Sequence, residues 1–229
     1  TGATDLVSAL HSVPTGEVWT MEDIRQHQAL IEATPSGVAP LKWSVVESIP
    51  VHEDIKLARA GHQSYVDNWI ASMENLAHCG IKTICYNFMP VIDWTRTDLK
   101  YRLPSGAYAL RFDQKKFAAF DLFILRRENV EAGYSKAEIA DAQQTFKAMS
   151  AGERTELTNN IIAGLPGKMT DSYGLDDFRK MLANYENMDS DTLRNNLLAF
   201  LSQVLPRAEE LDVKLAIHPD DPPRDLLGL

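Results

Sequence analysis

A histidine that follows an apolar run near the end of the chain carries the clearest chemical signal. Residues 213–217 have the apolar character of a strand, and the run stops at His218, with Asp220 and Asp221 close behind. In α/β barrels the chemistry lies where strands end, and a histidine supported by carboxylates is a suitable ligand for a divalent metal. The plain alternative is a surface histidine in a proline-rich turn. We predict His218 as a metal ligand, because other apolar runs also end in chemically capable residues.

Three further apolar runs end in side chains that are able to bind a substrate. His11 follows the first run, Glu47 follows the second, Tyr86 and Asn87 end the third, and Arg96 lies downstream. Because the carboxyl ends of parallel strands meet at one rim, we expect these groups around one cavity. Such a set suits a polyhydroxy substrate held by hydrogen bonds, with a hard or borderline divalent metal as Lewis acid.

Some of these residues also have a structural interpretation, which the sequence leaves open. Glu47 is about as able to cap a helix or form a salt bridge as to bind a ligand. Arg96 would either bind a substrate carboxylate with both arms or pair with Asp93 or Asp98. Residues 52–54 would either contribute to the site or form a solvated charged surface, and we favour the solvated surface for Glu53.

The sequence lacks the signatures of other common enzyme classes. Residues 164–167 lack the lysine and the glycine spacing of a phosphate-binding loop, and no GxSxG motif is present. Cys79 and Cys85 have no obvious strand-end position for nucleophilic attack. Two cysteines in a chain of 229 residues do not form a disulfide framework, so we interpret both as structural thiols.

Apolar periodicity predicts strands that alternate with helices. Strands are expected at residues 5–10, where the run should be buried, and at 43–46, 81–88 and 213–217. Helices are expected after an N-cap at Thr20, with Ile24, Leu30 and Ile31 on the apolar face, and over residues 62–79 and about 191–211. This alternation predicts an α/β fold with a parallel sheet and right-handed crossovers.

Residues 95–190 interrupt the alternation and are predicted to be a mostly helical insertion within a single domain, 1–229. Ser135 and Glu138 have the spacing of a capping box, and residues 160–167 are interpreted as a short buried segment ending in a turn. Because the insertion follows the carboxyl end of a strand, we expect it over the predicted site, as a lid or an oligomer contact.

Charge and hydropathy exclude several kinds of partner. The net charge of −9 argues against a nucleic-acid groove or an anionic membrane surface, both of which favour a basic patch. No apolar stretch approaches the roughly 20 residues that a membrane-spanning helix needs, and no signal-peptide pattern is visible. These features predict a cytoplasmic protein that acts on a small molecule.

With these residues identified, the chain resembles the mannonate dehydratase family from end to end. The resemblance rests on residues 8–11 and 14–19, 43–56, 85–99, 160–167 and 218–223. Long blocks in the right order are far more specific than a short motif.

The resemblance implies a (β/α)8 TIM barrel of the xylose-isomerase-like kind, with about four strand–helix units in this sequence. It implies conversion of D-mannonate to 2-dehydro-3-deoxy-D-gluconate and water, in hexuronate breakdown, with Mn²⁺ or Fe²⁺ as cofactor. His218 matches a family metal ligand, and Asp220 is expected to orient it from behind. His11, Glu47, Tyr86, Asn87 and Arg96 are expected to hold the substrate.

The resemblance also implies features beyond this sequence. Family members are longer, so a first barrel strand is expected before Thr1 and three strand–helix units after Leu229. The other metal ligands and the acid/base residues are expected there, which leaves the catalytic residues unknown here. A homo-oligomer, specifically a dimer, is expected. The alternatives are a metal-dependent sugar isomerase or epimerase, which would release no water, and a non-catalytic partial barrel that assembles with another chain.

Overall fold

The structure is a computed structural model that describes residues 2–34, 37–164 and 174–229. Its strands are β1 (Asp5–Ser8), β2 (Lys42–Val46), β3 (Thr83–Tyr86), β4 (Asp98–Arg102), β5 (Tyr108–Arg111) and β6 (Lys214–Ile217). Its α-helices are α1 (Met21–Glu32), α2 (Glu53–Lys56), α3 (Gln63–His78), α4 (Gln114–Ala119), α5 (Lys136–Ala148), α6 (Ala151–Ile162), α7 (Leu175–Ala183) and α8 (Ser190–Glu210). A π-helical turn spans Phe120–Leu125, and a 3₁₀ turn spans Val130–Gly133. Within these ranges no helix is long and apolar enough to cross a membrane.

The chain divides into two compact units. The first contains the residues up to Phe88 together with Asp189–Pro219, and the second contains Met89–Met188 together with Asp220–Leu229. The single domain over 1–229, with an insertion at 95–190, stays a prediction.

A four-stranded parallel sheet forms the centre of the first unit. Its strands lie in the order β1-β2-β3-β6, and every neighbouring pair is parallel. The predicted α/β fold with a parallel sheet is therefore confirmed. The third strand is shorter than expected, because the amide of Ile81 donates to Leu76 O at the end of α3, at 2.9 Å, and so belongs to the helix cap.

Helices α1, α3 and α8 supply the apolar core of this unit. The predicted N-cap is confirmed, since Thr20 Oγ1 accepts from the amide of Asp23 at 3.2 Å. Gly80 ends α3 with a φ of +86°, which glycine adopts without steric cost. The largest fully buried side chains of the first unit are Trp19, Ile24, Trp43, Lys56, Met73, Leu76, Ile81, Ile84 and Phe200.

Two predicted core positions of the first unit are wrong. The first strand was expected to be buried, but Val7 is 53% exposed, because β1 lies at the edge of the sheet and pairs only with β2. Leu30 was placed on the apolar face of α1, but it is 72% exposed. At about 100° per residue, Leu30 lies roughly 120° around the helix from the buried Ile24, so it turns away from the sheet.

The second unit combines a β-hairpin with helices. Strands β4 and β5 pair antiparallel, and the amide of Leu103 donates to Ala107 O across the turn at 2.8 Å. The sequence interpretation missed this hairpin, although Pro104 and Gly106 are typical turn residues. The predicted capping box at Ser135 and Glu138 is present at the start of α5.

A buried carboxylate lies in the π-helical turn of the second unit. Asp121 is fully buried and accepts two hydrogen bonds of 2.7 Å from Arg127, through Nε and Nη2. The Tyr134 hydroxyl donates to the same carboxylate at 2.9 Å. Burial, and then the Asp121 carboxylate, raise the pKa of Tyr134, which keeps its hydroxyl protonated as a donor. The buried charge is thus paired and hydrogen-bonded, as burial requires.

Gly164, just after α6, permits a close backbone approach in the second unit. A Cβ at this position would fall on the carbonyl oxygen of Trp94 and lie 2.7 Å from Ile92 Cγ2. The neighbouring residues 165–167, part of the predicted buried turn, lie outside the described residues.

We expect Gly164→Ala to lower the free energy of unfolding by about 1–3 kcal/mol, the usual cost of forcing atoms into packed space. Gly152→Ala in α6 is the matched control, because the nearest atom to its Cβ would be Ser150 Oγ at 4.0 Å. Urea unfolding compares the two variants. Equal stabilities for both would contradict the predicted clash.

Candidate functional site

The predicted strand-end residues of the first unit do lie at the carboxyl edge of the parallel sheet. Glu47, Asn87 and His218 each follow a strand directly, and His11 comes three residues after β1. The His218 amide donates to Tyr86 O at 2.7 Å, and the Glu47 amide donates to Ser8 O at 3.1 Å. These bonds extend the backbone ladder beyond the strands, so the register of the sheet fixes where the two side chains begin.

Glu47 and His218 come together across β3. His218 Nε2 lies 3.7 Å from Glu47 Oε1, and both side chains are partly exposed. This separation is too long for a hydrogen bond, so the two groups face one another without a direct bond. An imidazole nitrogen and a carboxylate oxygen are both donors for a borderline divalent cation.

The backbone fixes the tautomer of His218. Its Nδ1 lies 2.8 Å from the carbonyl oxygen of Pro219. A carbonyl can only accept, so the hydrogen bond places the proton on Nδ1. In the neutral imidazole the lone pair is then on Nε2, the nitrogen that faces Glu47, which is the arrangement that metal-binding histidines adopt.

Tyr86 and Asn87 are more buried than a substrate-facing position suggests. Tyr86 is 6% exposed, and its ring packs on Phe200 of α8 with 6.4 Å between ring centroids. Burial raises the pKa of the Tyr86 hydroxyl. Asn87 is buried, whereas His11 is exposed in a turn. Substrate binding by these three residues stays a prediction.

Sequence reasoning missed a polar contact at the end of β1. His27 Nε2 lies 2.8 Å from Ser8 Oγ, and its ring meets Trp43 edge-on with centroids 4.7 Å apart. Burial, and then the nearby His11, lower the pKa of His27. The sequence did offer one signal for this contact. His27 lies three residues after the buried Ile24, so both side chains are on the face of α1 that packs on the sheet.

Cys85 lies in β3, the strand between the two that lead to Glu47 and His218. It pairs in register with Ala216, one residue before the end of β3. Burial, and then the Glu47 carboxylate, raise the pKa of the Cys85 thiol. The thiol is therefore kept protonated, which agrees with the interpretation that Cys85 is not a nucleophile.

Residues 52–54 form the start of a helix. His52 Nδ1 accepts from the amide of Asp54 at 3.1 Å, and its ring stacks on Tyr65 with centroids 3.7 Å apart. Glu53 accepts a 2.7 Å bond from the buried Lys56. The favoured interpretation of Glu53 as solvated surface charge is wrong, because this residue neutralises a buried ammonium.

In the second unit Arg96 is engaged by a carboxylate. Its Nη1 and Nη2 donate to Asp221 Oδ1 and Oδ2 at 2.8 and 2.6 Å, and Nη1 also donates to Thr95 O. The predicted structural partners, Asp93 and Asp98, are wrong, because Asp221 occupies both arms of the guanidinium. Substrate binding by Arg96 and orientation of His218 by Asp220 stay predictions.

We expect Arg96→Gln and Asp221→Asn each to destabilise the second unit by about 1–3 kcal/mol, the usual worth of hydrogen bonds between charged groups. Since each variant removes the same pair, the double variant should lose no more than either single one. Urea unfolding of all four proteins measures the coupling. Additive losses would mean that the two side chains act separately.

The described ranges contain no cluster of three or more His, Cys, Asp and Glu side chains that could hold a metal ion. His218 and Glu47 nevertheless fit part of such a site, because the neutral tautomer that Pro219 O selects carries its lone pair on Nε2, and a carboxylate faces this nitrogen.

The comparison with protein families shows to which family the chain belongs. The model of the D-mannonate dehydratase (UxuA) family matches residues 1–229, the whole chain. The chain belongs to this family. The resemblance seen in the sequence is therefore confirmed.

Individual mannonate dehydratases agree with this assignment. The chain is 52% identical to the mannonate dehydratase of Marinomonas sp. (strain MWYL1) over 229 residues, and 53% identical to that of Brucella melitensis biotype 2 (strain ATCC 23457) over 228 residues. In both cases the match covers 100% of this chain and 57% of the relative. The crystal structure of mannonate dehydratase from Streptococcus suis serotype 2 superposes with a TM-score of 0.66 at 31% identity, over 100% of this chain and 50% of that one. The chain thus spans between 50% and 57% of the length of these mannonate dehydratases.

Proposed function

We propose that the protein is a hydro-lyase that converts D-mannonate to 2-dehydro-3-deoxy-D-gluconate and water, in hexuronate breakdown. The observation that carries this proposal is the family match over every residue of the chain. The pair of His218 and Glu47 at the carboxyl edge of the sheet supports it independently, because α/β enzymes place their chemistry at this edge.

His218 would hold the cofactor, Mn²⁺ or Fe²⁺, through Nε2. When bound, the metal supplies Lewis-acid stabilisation of the negative charge that develops on the substrate as the proton next to its carboxylate leaves. Pro219 O keeps the imidazole in the required tautomer by accepting from Nδ1 at 2.8 Å. Asp220 would add a second orienting group.

Substrate orientation would fall to the remaining strand-end residues. Glu47 offers a carboxylate that accepts from sugar hydroxyls, and the Tyr86 hydroxyl and the Asn87 amide would contribute further hydrogen bonds. His11 would contact the substrate from the exposed turn after β1, and Arg96 would have to leave Asp221 to bind the substrate carboxylate. The general acid that protonates the leaving hydroxyl is proposed to lie in the part of the family's length that this chain does not span.

We further propose a TIM barrel, a cytoplasmic location and a homodimer for the whole protein. The parallel order β1-β2-β3-β6, with the polar residues at its carboxyl edge, supports the barrel. The acidic net charge of −9 supports a small-molecule substrate over nucleic acid or membrane.

Incubation of the full-length protein with D-mannonate and Mn²⁺ tests the proposed activity. Mass spectrometry should detect a 2-keto-3-deoxy acid that is lighter than the substrate by one water. A product of unchanged mass would instead indicate the isomerase or epimerase alternative. Stoichiometric metal binding by residues 1–229 alone would count against the alternative of a non-catalytic partial barrel.

A further inference from the structure

The segment that follows Glu47 is held against α3 at two points. The indole Nε1 of Trp69 donates to Ile49 O at 3.3 Å, and the His52 ring stacks on Tyr65 with 3.7 Å between centroids. Tyr65 and Trp69 are four residues apart, so they lie on one face of α3. The sheet thus fixes the chain before Glu47, and α3 fixes the chain after it.

A glycine before α1 packs against the same pair of rings. Gly16 adopts a φ of +90°, and a Cβ at this position would lie 2.7 Å from Tyr65 Cδ1 and 3.0 Å from His52 Cδ2. The carbonyl oxygen of Gly16 accepts from Asn68 Nδ2 of α3 at 2.8 Å. The stacked rings are therefore in contact with the backbone before α1 as well as with each other.

The hydrogen bond that His52 makes requires a neutral imidazole. His52 Nδ1 accepts from the amide of Asp54 at 3.1 Å and so caps α2, which means that Nδ1 must carry a lone pair. Protonation would place a hydrogen on Nδ1 that faces the amide hydrogen of Asp54, and the cap would be lost. Burial is the main cause that lowers the pKa of His52, and this keeps the ring neutral at neutral pH.

The charged groups around His52 act on its pKa in both directions. Asp54, whose Oδ2 lies 3.8 Å from His52 Nδ1, and Glu53 favour protonation, whereas Lys56 and Arg59 oppose it. Each carboxylate is also paired with one of these cations, Asp54 with Arg59 at 3.2 Å and Glu53 with Lys56 at 2.7 Å. This pairing limits how far the carboxylates offset the effect of burial. The other titratable groups that line the small cavity beside the ring are Glu17, before α1, and Tyr65, in α3.

We propose that His52 is a positioning residue, whose neutral imidazole holds the segment after Glu47 against α3 and whose protonation releases that segment. Because the pKa of His52 in the folded protein lies below its ordinary value of 6.5, the segment is fully held above that value. The hold is lost as the pH falls through the lowered pKa. The consequence for catalysis rests on the proposed function, in which Glu47 binds the substrate.

Hydrogen–deuterium exchange of the full-length protein tests this role of His52. Protection factors, corrected for the intrinsic pH dependence of exchange, are measured on peptides that span residues 47–57. The measurements run from about pH 8 to about pH 5, a range around the ordinary histidine pKa. In the wild type, protection should fall as the pH is lowered.

Two variants separate the cap from the ring. His52→Asn retains a side-chain acceptor that does not titrate, so its protection should be the same at both ends of the range. His52→Ala lacks the acceptor, and near pH 8 its protection should be about fivefold lower than that of the wild type, the equilibrium equivalent of one N-cap. Its protection should also be independent of pH.

His78→Asn is the matched control, because it removes an exposed histidine from the end of α3 and should retain the pH dependence of the wild type. Wild-type protection that stays constant over the range would overturn the proposal. So would a His52→Asn protein whose protection falls like that of the wild type, because another group would then be responsible. Exchange does not depend on turnover of D-mannonate, so failure of this proposal and failure of the proposed function are separate results.

Discussion

His218→Ala is expected to abolish metal-dependent turnover of D-mannonate and to remove the bound metal. His218 is the strand-end imidazole whose Nε2 faces Glu47 at 3.7 Å and carries the lone pair in the neutral tautomer that Pro219 O selects. Because Lewis-acid stabilisation is worth several kcal/mol, the rate should fall by about a thousandfold or more. The measurements are kcat/KM for D-mannonate and the metal content of the purified full-length protein by elemental analysis.

A second histidine provides the control for this experiment. His78 is exposed at the end of α3, so His78→Ala should retain both metal and activity. His218→Gln keeps a polar side chain of similar reach but lacks the imidazole, and should behave like the alanine variant. Retention of stoichiometric metal and activity in either His218 variant would remove His218 from the ligand set.

Asp121→Ala is expected to have the largest effect on stability. The change leaves Arg127 without its carboxylate and the Tyr134 hydroxyl without its acceptor, while Asp121 itself is fully buried. Breaking a buried ion pair by removing one partner costs about 3–5 kcal/mol. Hydrogen–deuterium exchange in urea, followed on peptides of the second unit, measures the loss where it is expected.

Two variants separate the buried charge from simpler effects. Asp121→Asn retains an acceptor oxygen but not the charge, so it should fall between wild type and Asp121→Ala. Asp176→Ala breaks the exposed ion pair with Arg179, and the exchange should then stay at the wild-type level. An Asp121→Ala protein as stable as the Asp176→Ala protein would show that the buried network contributes little.

The parallel sheet could be predicted because each of its strands is a short apolar run that is recognisable in the local sequence. Thr20 marks the start of α1, Gly80 marks the end of α3, and His218 marks the end of β6. Strands that alternate with helices in this way are expected to pair in parallel. Exposure was less predictable, because it depends on neighbours along the sheet. Val7 is apolar yet exposed, because β1 is an edge strand of the described sheet. Nothing in the segment around Val7 indicates this position.

The site was predictable in residue type but not in pairing. Strand ends identified Glu47 and His218, and the register of the sheet brings them together. The partner of Arg96 was not predictable, because Asp221 lies 125 positions away in the sequence. The pairing of Arg96 with Asp221 depends on how the second unit folds. Asp93 and Asp98 were predicted as partners only because they are near Arg96 in the sequence.

The acceptor for Nδ1 of His218 is a main-chain oxygen, and this has a consequence for variation and engineering. Any residue at position 219 carries the same carbonyl, so no single side-chain replacement there can delete the acceptor. The path of the backbone after β6 therefore determines the orientation of the imidazole. Protein engineers could therefore vary the side chains around His218 to recruit other substrates while the nitrogen that points outward stays the same.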